Sequence, residues 1–211
     1  KKHVSSLVGA SRSVLQEILA LKRAFRKELK NSGKRALVLE LFSGEGGLSD
    51  KIRKHGYAVL SFDFNCGSHF DLCKSHILSL VIGWISSGCV LFVWLGTPCS
   101  SWSLARRGPA GSSWGPIRDK EHILGIPNLS ENDQNKVNIG NKTANASKTI
   151  IRCCVDNDVP CALENPASSR LFQCPYIVPL SLLPCCDSST IDSCQYGTRW
   201  RKRTRIMTWN F

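Results

Sequence analysis

Ile77 to Gly96 is a stretch of twenty residues without a charged side chain, and it restricts the fold more than any other part of the chain. Its length is enough to cross a bilayer. Ser86-Ser87-Gly88 interrupts it, however, with residue types that make turns. Before the interruption, Ile77–Ile85 has helix-compatible apolar spacing. After it, Cys89–Leu95 is a β-branched and aromatic run of strand length. Helix, turn and buried strand is therefore the expected structure, and a membrane span is not. A strand apolar on both faces must be covered on both, as in the parallel sheets of α/β proteins.

The rest of the chain follows the same logic. Residues 11–31 carry Val14, Ile18, Leu21 and Phe25 at helical spacing, with Ser11 or Ser13 able to cap the start and Asn31-Ser32-Gly33 to end it. Ala36–Leu41 reads as an apolar strand, followed by a glycine-rich turn and a helix over Leu48–Lys54. Tyr57–Phe62 is a second strand, Phe70–Leu72 a short third and Cys89–Leu95 a fourth. Lys142–Val155 reads as a helix, Pro160–Leu163 as a strand and Arg205–Trp209 as the last strand. Ser100–Gly140, rich in Gly, Pro, Ser and Asn, reads as a long functional loop. The expected fold is α/β, with a doubly wound, mostly parallel sheet preceded by an amphipathic helix. At 211 residues the chain can bury a full core, divided into a basic helical segment over 1–35 and an α/β domain over 36–211.

Charge narrows the partner. The formal net charge is +12, and it sits at the two ends. Residues 1–35 hold ten basic and two acidic side chains, and Arg199, Arg201, Lys202, Arg203 and Arg205 add five more. Such a distribution suits a polyanion such as nucleic acid better than a membrane surface. The eleven cysteines are odd in number and irregularly spaced, unlike an extracellular disulfide framework. With no leader-type apolar run at the start, an intracellular protein with reduced thiols is expected. Cys174, Cys185, Cys186 and Cys194 show no Cys-x-x-Cys spacing, so no metal is expected.

Chemistry-bearing residues collect where strands end. Leu41-Phe42-Ser43-Gly44-Glu45-Gly46-Gly47 is a glycine-rich turn between strand and helix, which lets backbone amides approach a ligand. Asp63 ends the next strand, where nucleotide-binding sheets place an acid for a ribose. The fourth strand runs into Thr97-Pro98-Cys99-Ser100, offering a nucleophile, and the fifth runs into Glu164-Asn165-Pro166. Arg201-Lys202-Arg203-Thr204-Arg205 leads into the last strand and supplies guanidinium groups.

These segments, in this order, resemble the DNA cytosine carbon-5 methyltransferase family. Leu41–Gly47 is similar to its S-adenosylmethionine loop, Pro98-Cys99 to its Pro-Cys-Gln, Glu164-Asn165 to its Glu-Asn-Val, and Arg201–Arg205 to its Gln-x-Arg-x-Arg. The resemblance spans roughly residues 36–209 and implies a Rossmann-like sheet, S-adenosylmethionine as cofactor and DNA as partner. It implies that Cys99, as thiolate, attacks carbon 6 of a flipped-out cytosine. Protonated Glu164 holds ring nitrogen 3, and Arg203 and Arg205 orient the ring and the carboxylate. Phe42, Ser43, Gly44, Gly46, Gly47 and Pro98 then line the cofactor, with Asp63 on its ribose, Phe64 against adenine and Asp71 on the adenine amine. Arg106, Arg107, Arg203 and Arg205 are expected to gather positive charge around Cys99.

Departures from the family are specific. Ser100, Pro166 and Arg201 replace its Gln, Val and Gln. Only eight positions separate Asp63 from Asp71, so the second α/β unit must be abbreviated. No target-recognition domain follows the last strand, so a partner or a further segment is expected to supply recognition, and the helix at 11–31 to supply packing. An intracellular enzyme, nuclear in a eukaryote, is implied. The alternatives are a transfer-RNA cytosine methyltransferase of the same family and an inactive module that binds nucleic acid or cofactor.

Overall fold

The computed structural model describes residues 11–104, 115–197 and 199–211. They form a mixed α/β fold with six strands and five α-helices among the described residues. By contact, the chain divides into two compact units, 1–91 and 92–211.

In the first unit, helix α1 (Arg12–Ser32) starts where the Ser11 hydroxyl accepts the Val14 amide at 3.4 Å. It ends at Gly33, whose φ of 65° is the left-handed cap that glycine adopts without strain. Ile18, Leu21 and Phe25 form its buried stripe, and Phe25 stacks on Trp84 with centroids 4.0 Å apart. Strands β1 (Leu37–Leu41) and β2 (Val59–Phe62) pair in parallel, Val38 opposite Val59 and Leu41 opposite Phe62. Every residue of β1 is buried, as a strand covered on both faces requires. Helix α2 (Gly47–Lys54) connects them, and α3 (Ser75–Ser86) follows. The expected strand at Phe70–Leu72 is instead a 3-10 turn over Ser68–Phe70. Gly67, at φ 134°, and an Asp71 carboxylate accepting the Cys73 amide at 2.9 Å hold that segment in turns.

Ser87-Gly88 ends α3, with Gly88 at φ 73°, and β3 (Val90–Leu95) follows. Helix, turn and strand thus replace the one uncharged run. Among the described residues no helix is long and apolar enough to cross a membrane.

In the second unit, β3 pairs in parallel with β4 (Cys161–Pro166), Leu95 opposite Leu163. Strand β6 (Arg203–Trp209) lies antiparallel to β4, and β5 (Cys186–Asp192) antiparallel to β6. The expected sheet is mostly parallel, which leaves room for this antiparallel pair, but β5 itself was not foreseen because its CDSSTID sequence lacks apolar alternation. Helix α4 spans Glu131–Asp156, so the expected loop over Ser100–Gly140 ends ten residues early. Ser130 caps it through the Asp133 amide at 3.2 Å, with Glu131 and Asp133 favouring its positive end. A short helix, α5 (Val178–Ser181), accepts the indole N–H of buried Trp209 at the Leu180 carbonyl, 2.9 Å away.

Candidate functional site

The turn after β1 is built almost entirely from backbone. Phe42, Gly44 and Gly46 take φ values of 58°, 53° and 71°, which fold the chain sharply from β1 into α2. The Ser43 amide donates to the Phe62 carbonyl at 2.8 Å and the Gly46 amide to the Ser43 carbonyl at 2.9 Å. Asp63 stands directly after β2, where one carboxylate oxygen accepts the Gly44 amide at 2.9 Å and the other the Asn65 amide at 3.0 Å. Asp63 therefore braces the turn, and the amides of Ser43, Gly44 and Gly46 are already engaged within it. The space a Cβ would occupy at Gly44, Gly46 or Gly47 is open for at least 4 Å. Glycine is required at Gly44 and Gly46 by backbone conformation rather than by a close neighbour.

Glu40 lies beneath this turn, buried, and sequence reasoning missed it. Its carboxylate accepts the Ser49 amide at 2.8 Å and the Ser49 hydroxyl as well, at the start of α2. The available signal was an acid in the middle of an otherwise apolar strand, LVLEL. Phe64 is two-thirds exposed beyond Asp63. Asp71 closes its own local turn. Two single-turn 3-10 helices, Phe64–Cys66 and Ser68–Phe70, occupy the interval between Asp63 and Asp71. Glu17 on α1 fastens this segment by accepting from Ser68 at 2.6 Å and from Lys74 at 2.5 Å, and by bonding His76 at 2.8 Å. Its hydrogen bonds to Lys74 and then Ser68 hold the carboxyl down to about 2.

In the second unit, Thr97, Pro98 and Cys99 leave the carboxyl end of β3. The Cys99 carbonyl accepts the amides of Trp102 and Ser103, each at 2.9 Å, so the cysteine opens a tight turn. Its side chain is a half-buried free thiol. Asn165 joins the two strand ends, its amide donating to the Thr97 carbonyl at 2.6 Å. Cys99 and Glu164 are thereby brought to one rim. The Thr97 and Ser147 hydroxyls bond at 2.7 Å and attach that rim to α4.

Arg118 fixes the turn after Cys99, and no sequence signal marked it. Its guanidinium is buried, lies 3.5 Å from the Trp102 ring centroid, and donates to the carbonyls of Ser101, Ile123 and Val137, the Ser101 hydroxyl and the Asn141 side chain. Burial pulls its pKa down to about 10. Gly140 makes room on α4, because a Cβ there would collide with the Ser101 side chain and crowd the Arg118 guanidinium.

The other two candidate side chains lie apart from Glu164. Partners in a ladder share a face and successive residues alternate, so Glu164 projects with Ile206, whereas Arg205 projects with Asn165 and Thr190. The cation at Glu164 is Lys202, 3.2 Å away. Arg205 donates to the Ser188 hydroxyl at 2.8 Å and lies 4.8 Å over the Phe172 ring. Arg203 and Arg205 line a cleft of about 570 Å³ with Ala167, Ser168, Ser188 and Thr190. Arg201 pairs with Asp192 at 2.9 Å. Arg106 and Arg107 lie outside the described residues. All eleven cysteines are unpaired thiols, and no group of three His, Cys, Asp or Glu converges on a metal position among the described residues.

The chain matches no family model, and no curated protein matches it.

Proposed function

We propose that this chain is an S-adenosylmethionine-dependent methyltransferase acting on carbon 5 of cytosine in DNA, built on a Rossmann-like, doubly wound sheet. The observation that carries the reading is the rim itself. Cys99 follows the carboxyl end of β3, Glu164 lies in the carboxyl-terminal half of the adjacent parallel strand β4, and the Asn165–Thr97 hydrogen bond joins the two strands there. Reactive groups in α/β sheets gather at such carboxyl ends.

The turn after β1 fits the cofactor in one respect that the geometry supports: it is an open, side-chain-free surface beside an acid at the end of β2. S-adenosylmethionine would supply an electrophilic methyl group. Phe42, Ser43, Gly44, Gly46 and Gly47 would line it, Asp63 would take the ribose, and Phe64 and Asp71 the adenine. Cys99 adds through sulfur to carbon 6 of the cytosine, and Glu164 gives its proton to ring nitrogen 3, so that electron density reaches carbon 5. With the methyl group in place, carbon 5 would lose its proton to solvent, the sulfur–carbon bond would break to return Cys99 as thiolate, and ring nitrogen 3 would hand its proton back to Glu164. The target base must leave its stack to reach Cys99.

A second reading, an inactive module that binds nucleic acid or cofactor, is favoured by one observation. The β4–β6 register sends Arg203 and Arg205 to the face opposite Glu164. Single-turnover transfer of labelled methyl from S-adenosylmethionine separates the two. Label in cytosine of DNA supports the enzyme, label in RNA alone supports the transfer-RNA branch, and label in neither supports the inactive module.

A further inference from the structure

The connection between β5 and β6 combines two features that the methyl-transfer reading leaves unused. Tyr196 and Trp200 are 72% and 66% exposed there, large aromatic surfaces facing solvent. Between Ser193 and Arg205 the chain carries five basic and no acidic side chains. The Ser193 amide and hydroxyl both donate to the Lys202 carbonyl at 3.0 Å, which closes the base of this tip.

The five cations are not equivalent. Arg201 pairs with Asp192, and the Lys202 ammonium lies 3.2 Å from a Glu164 carboxyl oxygen. Among the described residues no carboxylate lies within ion-pair distance of Arg199 or Arg203, and Arg205 is held by the neutral Ser188 hydroxyl and the Phe172 ring. The cleft that Arg203 and Arg205 line is otherwise walled by the hydroxyls of Ser168, Ser188 and Thr190 and by Ala167, with no carboxylate. At about 570 Å³ its size suits a nucleotide-sized group. Unneutralised guanidinium groups beside hydroxyl donors select a phosphodiester, and exposed aromatic faces select planar bases. In a duplex those base faces are covered by their neighbours, so only unpaired nucleotides can stack on Tyr196 and Trp200.

We propose that the β5–β6 tip and the arginine cleft bind an unpaired stretch of nucleic acid. Tyr196 and Trp200 stack on bases, while Arg199, Arg203 and Arg205 contact phosphates. The inference rests on nucleic acid as the partner, but not on methyl transfer.

The test is fluorescence anisotropy on the full chain with labelled oligothymidine, a duplex of the same length, and polyglutamate as competitor. Wild type is expected to bind oligothymidine more tightly than duplex and to resist polyglutamate. The Tyr196→Ala/Trp200→Ala double variant should lose at least about tenfold in oligothymidine affinity, with duplex affinity little changed. Arg203→Ala should weaken binding to both and flatten the salt dependence. Thermal unfolding of each variant at the wild-type temperature shows that the fold is intact. Equal oligothymidine binding by the folded double variant, a wild-type preference for duplex, or displacement by polyglutamate would overturn the proposal. Absence of methyl transfer, by contrast, leaves this binding untouched, so the two failures are distinguishable.

Discussion

The turn after β1 and the rim after β3 and β4 are both strand ends, yet they are held by opposite means. The first is determined locally. Two glycines and Phe42 at positive φ set its path, and Asp63, one strand away, braces it. The second depends on residues scattered along the chain: Asn165, Ser147, Gly140 and Arg118 meet at Thr97–Ser103. A turn encoded by glycine is weakened at the turn itself or at the one acid that braces it. A rim held by a buried polar network can be broken from a distance, because each lost donor leaves several acceptors dry.

That contrast orders the expected effects of mutation. Arg118→Met should be the most damaging, since it strips five hydrogen bonds from buried and half-buried partners and removes the cation over Trp102. A loss of about 3–5 kcal/mol is expected by urea unfolding. A loss below about 1 kcal/mol would mean the network does not hold the rim. Gly140→Ala acts on the same place through sterics and should cost about 1–3 kcal/mol, the range for overpacking a tight site. Any reactivity of Cys99 should fall with it, read as slowed alkylation by a thiol reagent. Unchanged alkylation and stability would show that α4 does not constrain the turn.

Gly46→Val tests the other region. The left-handed φ of 71° costs a side-chain-bearing residue about 1–2 kcal/mol, so destabilisation should be moderate and confined to the first unit. Calorimetry should show S-adenosylmethionine binding lost, and unchanged binding would remove the turn from the proposed site. Glu17→Gln should have the smallest effect, about 1 kcal/mol once solvent screening of a surface cluster is allowed for. Folding lowers this carboxyl to about 2, so its contribution is present above the ordinary carboxylate range and is lost as pH falls through that range. The variant should therefore lose that stability at neutral pH and converge on wild type as pH falls through about 2, which flattens the acid limb of the stability profile. An unaltered acid limb would show that the Ser68–Lys74–His76 cluster does not fasten α1.

Sequence patterning revealed the parts of the fold that burial dictates. The apolar runs of β1 and β3, the cap and stop of α1, and the turn at Gly88 all lie within a residue or two of where periodicity and turn chemistry put them. Polar elements escaped. β5 pairs with β6 alone among the described strands, so it has no need of an apolar face. The first ten residues of α4 are largely Asn, Asp, Glu and Lys, and Gly140, which looks like a loop residue, is there for close approach. The candidate site divides the same way. Asp63 and Cys99 were legible as strand-end residues, whereas β4 runs on past the expected end at Leu163 and takes in Glu164. The separation of Glu164 from Arg203 and Arg205 was not, because it depends on a pairing register that a seven-residue strand does not announce. Arg118 had no signal at all, since a buried arginine without an acidic partner reads like a surface one.

Covalent trapping tests the central claim most directly. An oligonucleotide with 5-fluorocytosine at its target position, incubated with the chain and S-adenosylmethionine, cannot complete the reaction, because fluorine does not leave carbon 5 as a proton does. A denaturation-resistant protein–DNA band is expected, absent in Cys99→Ala and slower to form in Glu164→Gln. A band that persists in Cys99→Ala would contradict that claim and move the nucleophile to another of the eleven cysteines.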